Sequence, residues 1–153
     1  MLKVEDIMTT DIFTLMETDN LALARSVMDL ARIRHIPVVK VDMSFIGLLT
    51  HRDILSATVS RLAELDNRTQ EELDQGIPVK EIMNTNVRTV SRNVSLRDCA
   101  ALLLKHKFGC LPVLEESKLV GIITEADFLN LTISLLDALN NPDNTSKHYF
   151  SKK

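Results

Sequence analysis

Residues Gly47–Leu55 read GLLTHRDIL, and residues Gly121–Leu129 read GIITEADFL. In each, a glycine leads into apolar residues, then a threonine, then an aspartate three positions on. T-x-x-D at the end of an apolar run is a capping box. The hydroxyl accepts a backbone N–H of the first helical turn, the acid accepts the threonine's own N–H, and strand passes into helix. The same junction presents free N–H groups and a positive dipole end, which suit an anion. Thr50 and Thr124 can therefore be caps alone, or caps that also donate to a phosphate while Asp53 and Asp127 accept from sugar hydroxyls.

The rest of the chain repeats with the phrase. Val4-Glu5-Asp6-Ile7-Met8 corresponds to Val79-Lys80-Glu81-Ile82-Met83, an offset of 75 positions. Thr14-Leu15 corresponds to Thr89-Val90, Leu21 to Leu96, and Ile36-Pro37-Val38-Val39 to Leu111-Pro112-Val113-Leu114, all at the same offset. The GLLT and GIIT phrases are offset by 74, so one residue was lost in a turn between Lys40 and Val120. Colinear matches at a fixed spacing mark an internal duplication.

Each copy reads strand, helix, strand, strand, helix. In the first, Ile12–Leu15 is β-prone, Asn20 is an N-cap, and Leu21, Ala24, Val27, Met28 and Ala31 recur at helical spacing. His35–Val39 is a strand whose Pro37 suits an edge or a strand start. Phe45–Thr50 is the third strand, and a helix from His51 runs to about Leu65. The second copy repeats this, with Ser95 and Asp98 as an S-x-x-D cap and Leu96, Cys99, Leu102 and Leu103 as the apolar face. Between the copies, Thr69-Gln70-Glu71-Glu72 predicts a capping box for a short helix ending at Gly76, before Pro78. After the second copy, the helix from Glu125 runs to about Leu139, and a polar tail follows.

The expected fold is α/β (α+β): two tandem β-α-β-β-α repeats packed with pseudo-twofold symmetry. The boundaries are 2–65 for the first repeat, 66–77 for the linker, 78–139 for the second repeat and 140–153 for the tail. A copy of about 55 residues buries only a marginal core, so the two should pack face to face and share one.

Composition narrows the function. The chain has 153 residues, net charge −3, no Trp and 4% aromatics. That argues against non-specific nucleic-acid binding and against aromatic platforms for single strands. Glu5 and Asp6 stand where a signal peptide needs an apolar core, and no apolar run approaches the roughly 18 residues of a membrane span. Cys99 and Cys110 form no CxxC pair and fit a reducing, cytoplasmic setting. His106 and His148 have no spaced metal partners. GxSxG, HExxH and P-loop lysine motifs are absent, so no enzyme is expected.

The doubled unit, with D/E-I-M at its start, a hydrophobic-Pro strand in the middle and G-h-h-T-x-x-D at its end, resembles the CBS domain, here as a tandem pair or Bateman module. The resemblance covers roughly residues 2–131. It implies a regulatory module without a required cofactor, binding AMP, ADP or ATP in two related clefts. Alternatives within the resemblance are S-adenosylmethionine-type ligands or a ligand-free dimerisation module. It also implies a homodimer and a regulated partner of unknown identity.

The resemblance further implies crossed clefts. One joins Thr124 and Asp127 to Thr9, Thr10 and Ile12 and to Arg34, His35, Ile36 and Pro37. The other joins Thr50, Asp53 and Arg52 to Thr85 and Val87 and to Gly109, Cys110, Leu111 and Pro112. Arg34 and His35 would make the first cleft the tighter one for nucleotides, with affinity rising as pH falls from 8 to about 6. His35 could equally be a hydrogen-bonded strand residue and Arg34 a solvated one. His51 and Arg52 oppose the helix dipole, a misfit that hints at an anionic partner.

Overall fold

The computed structural model describes the backbone of residues 1–62 and 67–141, and their side chains apart from 59–62 and 67–71. The elements run α1 (Val4–Ile7), α2 (Leu21–Ala31), β1 (His35–Val39), β2 (Phe45–Thr50), α3 (His51–Leu62) and α4 (Asn67–Gly76). A 3-10 turn at Val79–Glu81 precedes β3 (Val90–Ser91), α5 (Leu96–His106), β4 (Cys110–Glu115), β5 (Lys118–Thr124) and α6 (Glu125–Asn140).

Matching caps set the matching helices. The Asn20 side chain accepts from the Leu23 N–H at 2.9 Å, and Ser95 Oγ accepts from the Asp98 N–H at 3.1 Å. Both helices end on a left-handed residue, Arg32 at φ 54° and Lys107 at φ 53°. α4 starts at Asn67, two residues before Thr69, so the Thr69–Glu72 box does not open it. The expected end of the α3 helix near Leu65 and the polar tail beyond Asn141 lie outside the described residues.

The expected strand at Ile12–Leu15 shrinks to one bridge, Leu15 to Val38 in parallel. The Leu15 N–H donates to the Pro37 carbonyl at 3.0 Å, and the Val39 N–H donates to the Leu15 carbonyl at 2.8 Å. One step earlier the ladder would need an N–H from Pro37, which has none, so the pairing stops. In the second copy Pro112 sets the same limit, and β3 pairs with β4 over only Val90↔Val113 and Ser91↔Leu114.

The hairpins β1–β2 and β4–β5 are antiparallel, with His35 opposite Thr50 and Cys110 opposite Thr124. Their turns meet each other. The Phe45 N–H donates to the Ser117 carbonyl at 3.1 Å, and the Leu119 N–H to the Met43 carbonyl at 3.0 Å. These bonds exchange under the repeat offset, which puts the pseudo-twofold axis between the two turns.

The single shared core expected from the sequence becomes two cores with exchanged parts. Leu21, Met28, Ile36, Val38, Leu49 and Ile54 of the first copy pack with Val79, Ile82 and Met83 of the second. Leu96, Cys99, Leu103, Leu111, Val113 and Ile123 of the second copy pack with Val4, Ile7 and Met8 of the first. A small third cluster, Leu48, Cys110 and Ile122, joins them. Main-chain bonds fix the exchange: the Val4 N–H donates to the Val94 carbonyl at 2.9 Å, and the Val79 N–H to the Asp19 carbonyl at 2.7 Å. Each copy alone is too small for a secure core, and borrowing the other's leading segment enlarges both.

The copies differ at α4. Asp74, almost buried, takes Arg25 Nε at 2.6 Å, and Arg25 also bonds the Thr58 hydroxyl, so α4 is tied to α2 and α3. No described helix is long and apolar enough to cross a membrane.

Candidate functional site

Two strand-to-helix junctions lie on either side of the axis. At the first, the Thr50 N–H donates to Asp53 Oδ2 at 2.9 Å and the Asp53 N–H donates to Thr50 Oγ1 at 3.1 Å. At the second, the Thr124 N–H donates to Asp127 Oδ2 at 2.8 Å, with the Thr124 hydroxyl 3.3 Å from the same oxygen. Capping is therefore real in both copies. These bonds engage Oδ2 of each carboxylate, and a two-oxygen acceptor has capacity for more.

Each junction receives the leading segment of the other copy. Thr9 and Ile122 exchange two main-chain bonds at 2.9 Å, and so do Leu48 and Asn84. The glycines of the opening phrases permit this approach. A Cβ on Gly121 would sit 2.6 Å from Met8 Sδ and 3.2 Å from the Thr9 carbonyl oxygen. A Cβ on Gly47 would sit 2.8 Å from Met83 Sδ and 3.1 Å from the Asn84 carbonyl oxygen. The I-M of each leading segment thus belongs with the glycine of the other copy's junction, a partnership that neither motif announces alone.

Thr9 comes close enough to Asp127 for its hydroxyl to favour the charged carboxylate. Burial raises the Asp127 carboxyl above its ordinary value of 3.8, while the N–H and hydroxyl of Thr124 and the hydroxyl of Thr9 oppose the rise. Thr10 and Thr85 are exposed, and Ile12 and Val87 are half-buried against the small central cluster. Ile36, Pro37, Leu111 and Pro112 are fully buried, so none of them presents an open surface. Cys110 lies in the central cluster rather than at an opening, and burial pushes its thiol up to about 12. Cys99 is a core residue whose thiol burial raises to about 11.

The charged groups collect at one end of the first hairpin. Arg34 and Arg52 are exposed, and the His51 N–H donates to the Arg34 carbonyl at 2.8 Å. The corresponding end of the second hairpin carries Gly109, Cys110, Glu125 and Ala126, with the Glu125 N–H 3.4 Å from the Gly109 carbonyl. One end is basic and the other bears an acid.

His35 does not stay on its own side. A Cβ on Gly109 would lie 2.5 Å from His35 Nε2, so the imidazole fills the place of the side chain that Gly109 lacks. Burial pushes His35 below its ordinary 6.5; Glu125 pulls it back up, Arg34 pushes it further down, and Asp53 pulls it up. The pH window expected at 8 to 6 for this histidine therefore moves lower. The sequence places Glu125 at a helix start; its action on His35, which lies 90 positions earlier, is visible only in the structure.

A profile of the CBS domain matches the chain twice, over residues 4–60 and 79–134. The CBS domain-containing protein YhcV of Bacillus subtilis is 32% identical over 127 residues, which cover 83% of each chain. Homoserine O-acetyltransferase of Methanocorpusculum labreanum is 31% identical over 137 residues, but the chain spans only 24% of that protein. Among solved structures, AcuB from Vibrio cholerae is 36% identical with a TM-score of 0.77, over 92% of this chain and 97% of that one. CBSX2 in complex with AMP gives 0.75 at 22% identity, over 89% and 99%. The CBS domain pair of MJ0100, in complex with 5'-methylthioadenosine and S-adenosyl-L-methionine, gives 0.71 at 22% identity, over 87% and 97%. At that identity the last two show a shared fold.

Proposed function

Because the chain belongs to the CBS-domain family and carries two copies in tandem, we propose that it is a non-catalytic regulatory module whose clefts bind an adenosine-containing ligand, AMP, ADP or ATP. The observation that carries this reading is the contact between copies at Asp127. A half-buried carboxylate, raised by its burial, is held by Thr124 and Thr9 beside a helix start. Such a group suits the paired hydroxyls of a ribose, and the neighbouring N–H groups suit a phosphate. Thr124, Asp127, Thr9, Thr10 and Ile12 form one proposed cleft; Thr50, Asp53, Arg52, Thr85 and Val87 form the other. The AMP held by CBSX2 supports a nucleotide, and the ligands of MJ0100 support S-adenosylmethionine-type molecules as the alternative.

A second observation favours self-association. On α6, Leu129 is 65% exposed, Ile133 57% and Leu136 52%, and Leu55 on α3 is also exposed. Three large apolar residues at i, i+4 and i+7 form one helical stripe, the kind of surface a homodimer covers. Val59 and Leu62, four and seven positions after Leu55 on α3, lie among the undescribed side chains. The unbridged cysteines suit a reducing compartment, so the proposal puts the module in the cytoplasm.

Thermal melting with AMP, ADP, ATP, 5'-methylthioadenosine and S-adenosylmethionine tests the reading. A ligand at 100 times its dissociation constant adds about 2.7 kcal/mol. If none raises the melting temperature, ligand binding is refuted and the interaction module takes its place. Light scattering at micromolar concentration tests the dimer, and a particle of one chain's mass refutes it.

A further inference from the structure

One side chain lies close to both helix starts. His35 stands opposite Thr50 on the β1–β2 ladder, one residue before α3 begins. Its imidazole lies on Gly109, whose carbonyl faces the N–H of Glu125, the first residue of α6. The register of one hairpin and the missing side chain of the other thus bring a single imidazole to both helix starts. The second copy has no equivalent group: Cys110, opposite Thr124, is turned into the central cluster.

We propose that His35 is a shared residue coupling the two clefts, drawn to the anion in whichever cleft fills first and thereby weakening anion binding in the other. The proposal rests on the nucleotide-binding reading above. The charged groups facing the imidazole are Glu125 on α6, Asp53 on α3 and its own neighbour Arg34. The two acids stand on opposite sides of the axis, and in the absence of ligand the ring rests on the α6 side, on Gly109, where Glu125 acts on it more strongly than Asp53 does. A bound phosphate changes that. It attracts the protonated ring, and the Nε2 tip that rests on Gly109 can meet one phosphate at a time. Coupling of this kind is reciprocal, so each cleft weakens the other by the same factor.

Gly109 supplies a test that keeps the histidine. No glycine of the described chain has a positive φ, so a methyl group is compatible with the backbone, and the atom it would strike is the end of a side chain free to rotate away. Gly109→Ala should therefore unseat His35 while leaving it in the protein. NMR titration of the ligand-free protein should find His35 below 6.5, moved upward by Gly109→Ala and further downward by Glu125→Gln and by Asp53→Asn. A titration unmoved by Gly109→Ala, or by both acid replacements, overturns the shared seat whatever the protein binds.

Calorimetry with AMP then tests the coupling. Asp127→Ala weakens one cleft, and at AMP concentrations too low to fill it AMP should bind the other cleft roughly ten-fold more tightly than it binds that cleft in wild type with both filled. The difference should vanish in His35→Ala and in Gly109→Ala. Two AMP sites that fill independently in wild type refute the coupling and leave the nucleotide reading standing. No binding of AMP in wild type refutes both, while the NMR outcome still decides where His35 sits.

Discussion

The end of the first hairpin and the end of the second share one backbone and carry opposite chemistry. Arg34, His35, His51 and Arg52 occupy the first; Gly109, Cys110, Glu125 and Ala126 occupy the second. Yet His51 donates to Arg34 as Glu125 faces Gly109, and Thr50 caps α3 as Thr124 caps α6. Main-chain bonds and buried apolar contacts hold the symmetry, and neither depends on the side chains at the rim. The rim is therefore free to diverge, and a duplicated fold can present two unequal clefts.

The comparison would break most visibly in the cores. Leu49 and Ile123 occupy corresponding strand positions and are fully buried. Leu49→Ala and Ile123→Ala should each cost about 2–5 kcal/mol. Because each core contains the other copy's leading segment, either change should lower one cooperative transition rather than melt one half. Calorimetric scans resolving two transitions in either variant would show that the halves are independent after all.

The next largest effect is on ligand. Asp127→Ala should weaken AMP by roughly ten- to a hundred-fold, the worth of a charge-assisted hydrogen bond. The ligand-free protein should lose only about 1 kcal/mol, the cost of a cap. Equal AMP affinity in mutant and wild type would reduce the T-x-x-D phrase to its capping role.

Charge at the rim sharpens the inequality. Arg34→Ala combined with His35→Ala should weaken AMP about ten-fold and adenosine hardly at all, since adenosine carries no charge to attract a cation. Parallel loss of both ligands in competition binding would show that the basic end shapes the cleft without reading charge.

The smallest effect is in stability against pH. His35 has its folded-state value depressed below 6.5, so the unfolded chain binds the proton more readily as pH falls. Stability present above about 6.5 should be lost as pH falls through the depressed folded value. His35→Gln should flatten that decline, and melting curves between pH 7.5 and 5 that overlay for the two proteins would exclude the contribution.

Much of the fold was legible because local chemistry encodes it. Both capping boxes, the Asn20 and Ser95 caps and the helix faces depend on residues within a few positions of one another, and the duplication shows as the same local phrases written again 74 or 75 positions on. The short first strand was not, because its length depends on Pro37 and Pro112 meeting a chain segment more than twenty residues away. Asp74 was missed for the same reason: its partner Arg25 is 49 positions distant, and a lone acid in a polar stretch gives no signal.

The exchange of leading segments belongs to a different class. In a repeated sequence, Val4-Ile7-Met8 and Val79-Ile82-Met83 satisfy the same apolar sites, so the pattern is indifferent to whether each packs on its own core or on the other. The resemblance to a known family implied crossed clefts; residue spacing could not. By itself the sequence determined two copies, their elements and their caps. Only the tertiary structure decided which copy completes which core, why Gly47 and Gly121 must lack a side chain, and that His35 rests on Gly109. Those outcomes follow from close approach between distant segments, where steric fit chooses among partners that the sequence leaves equivalent.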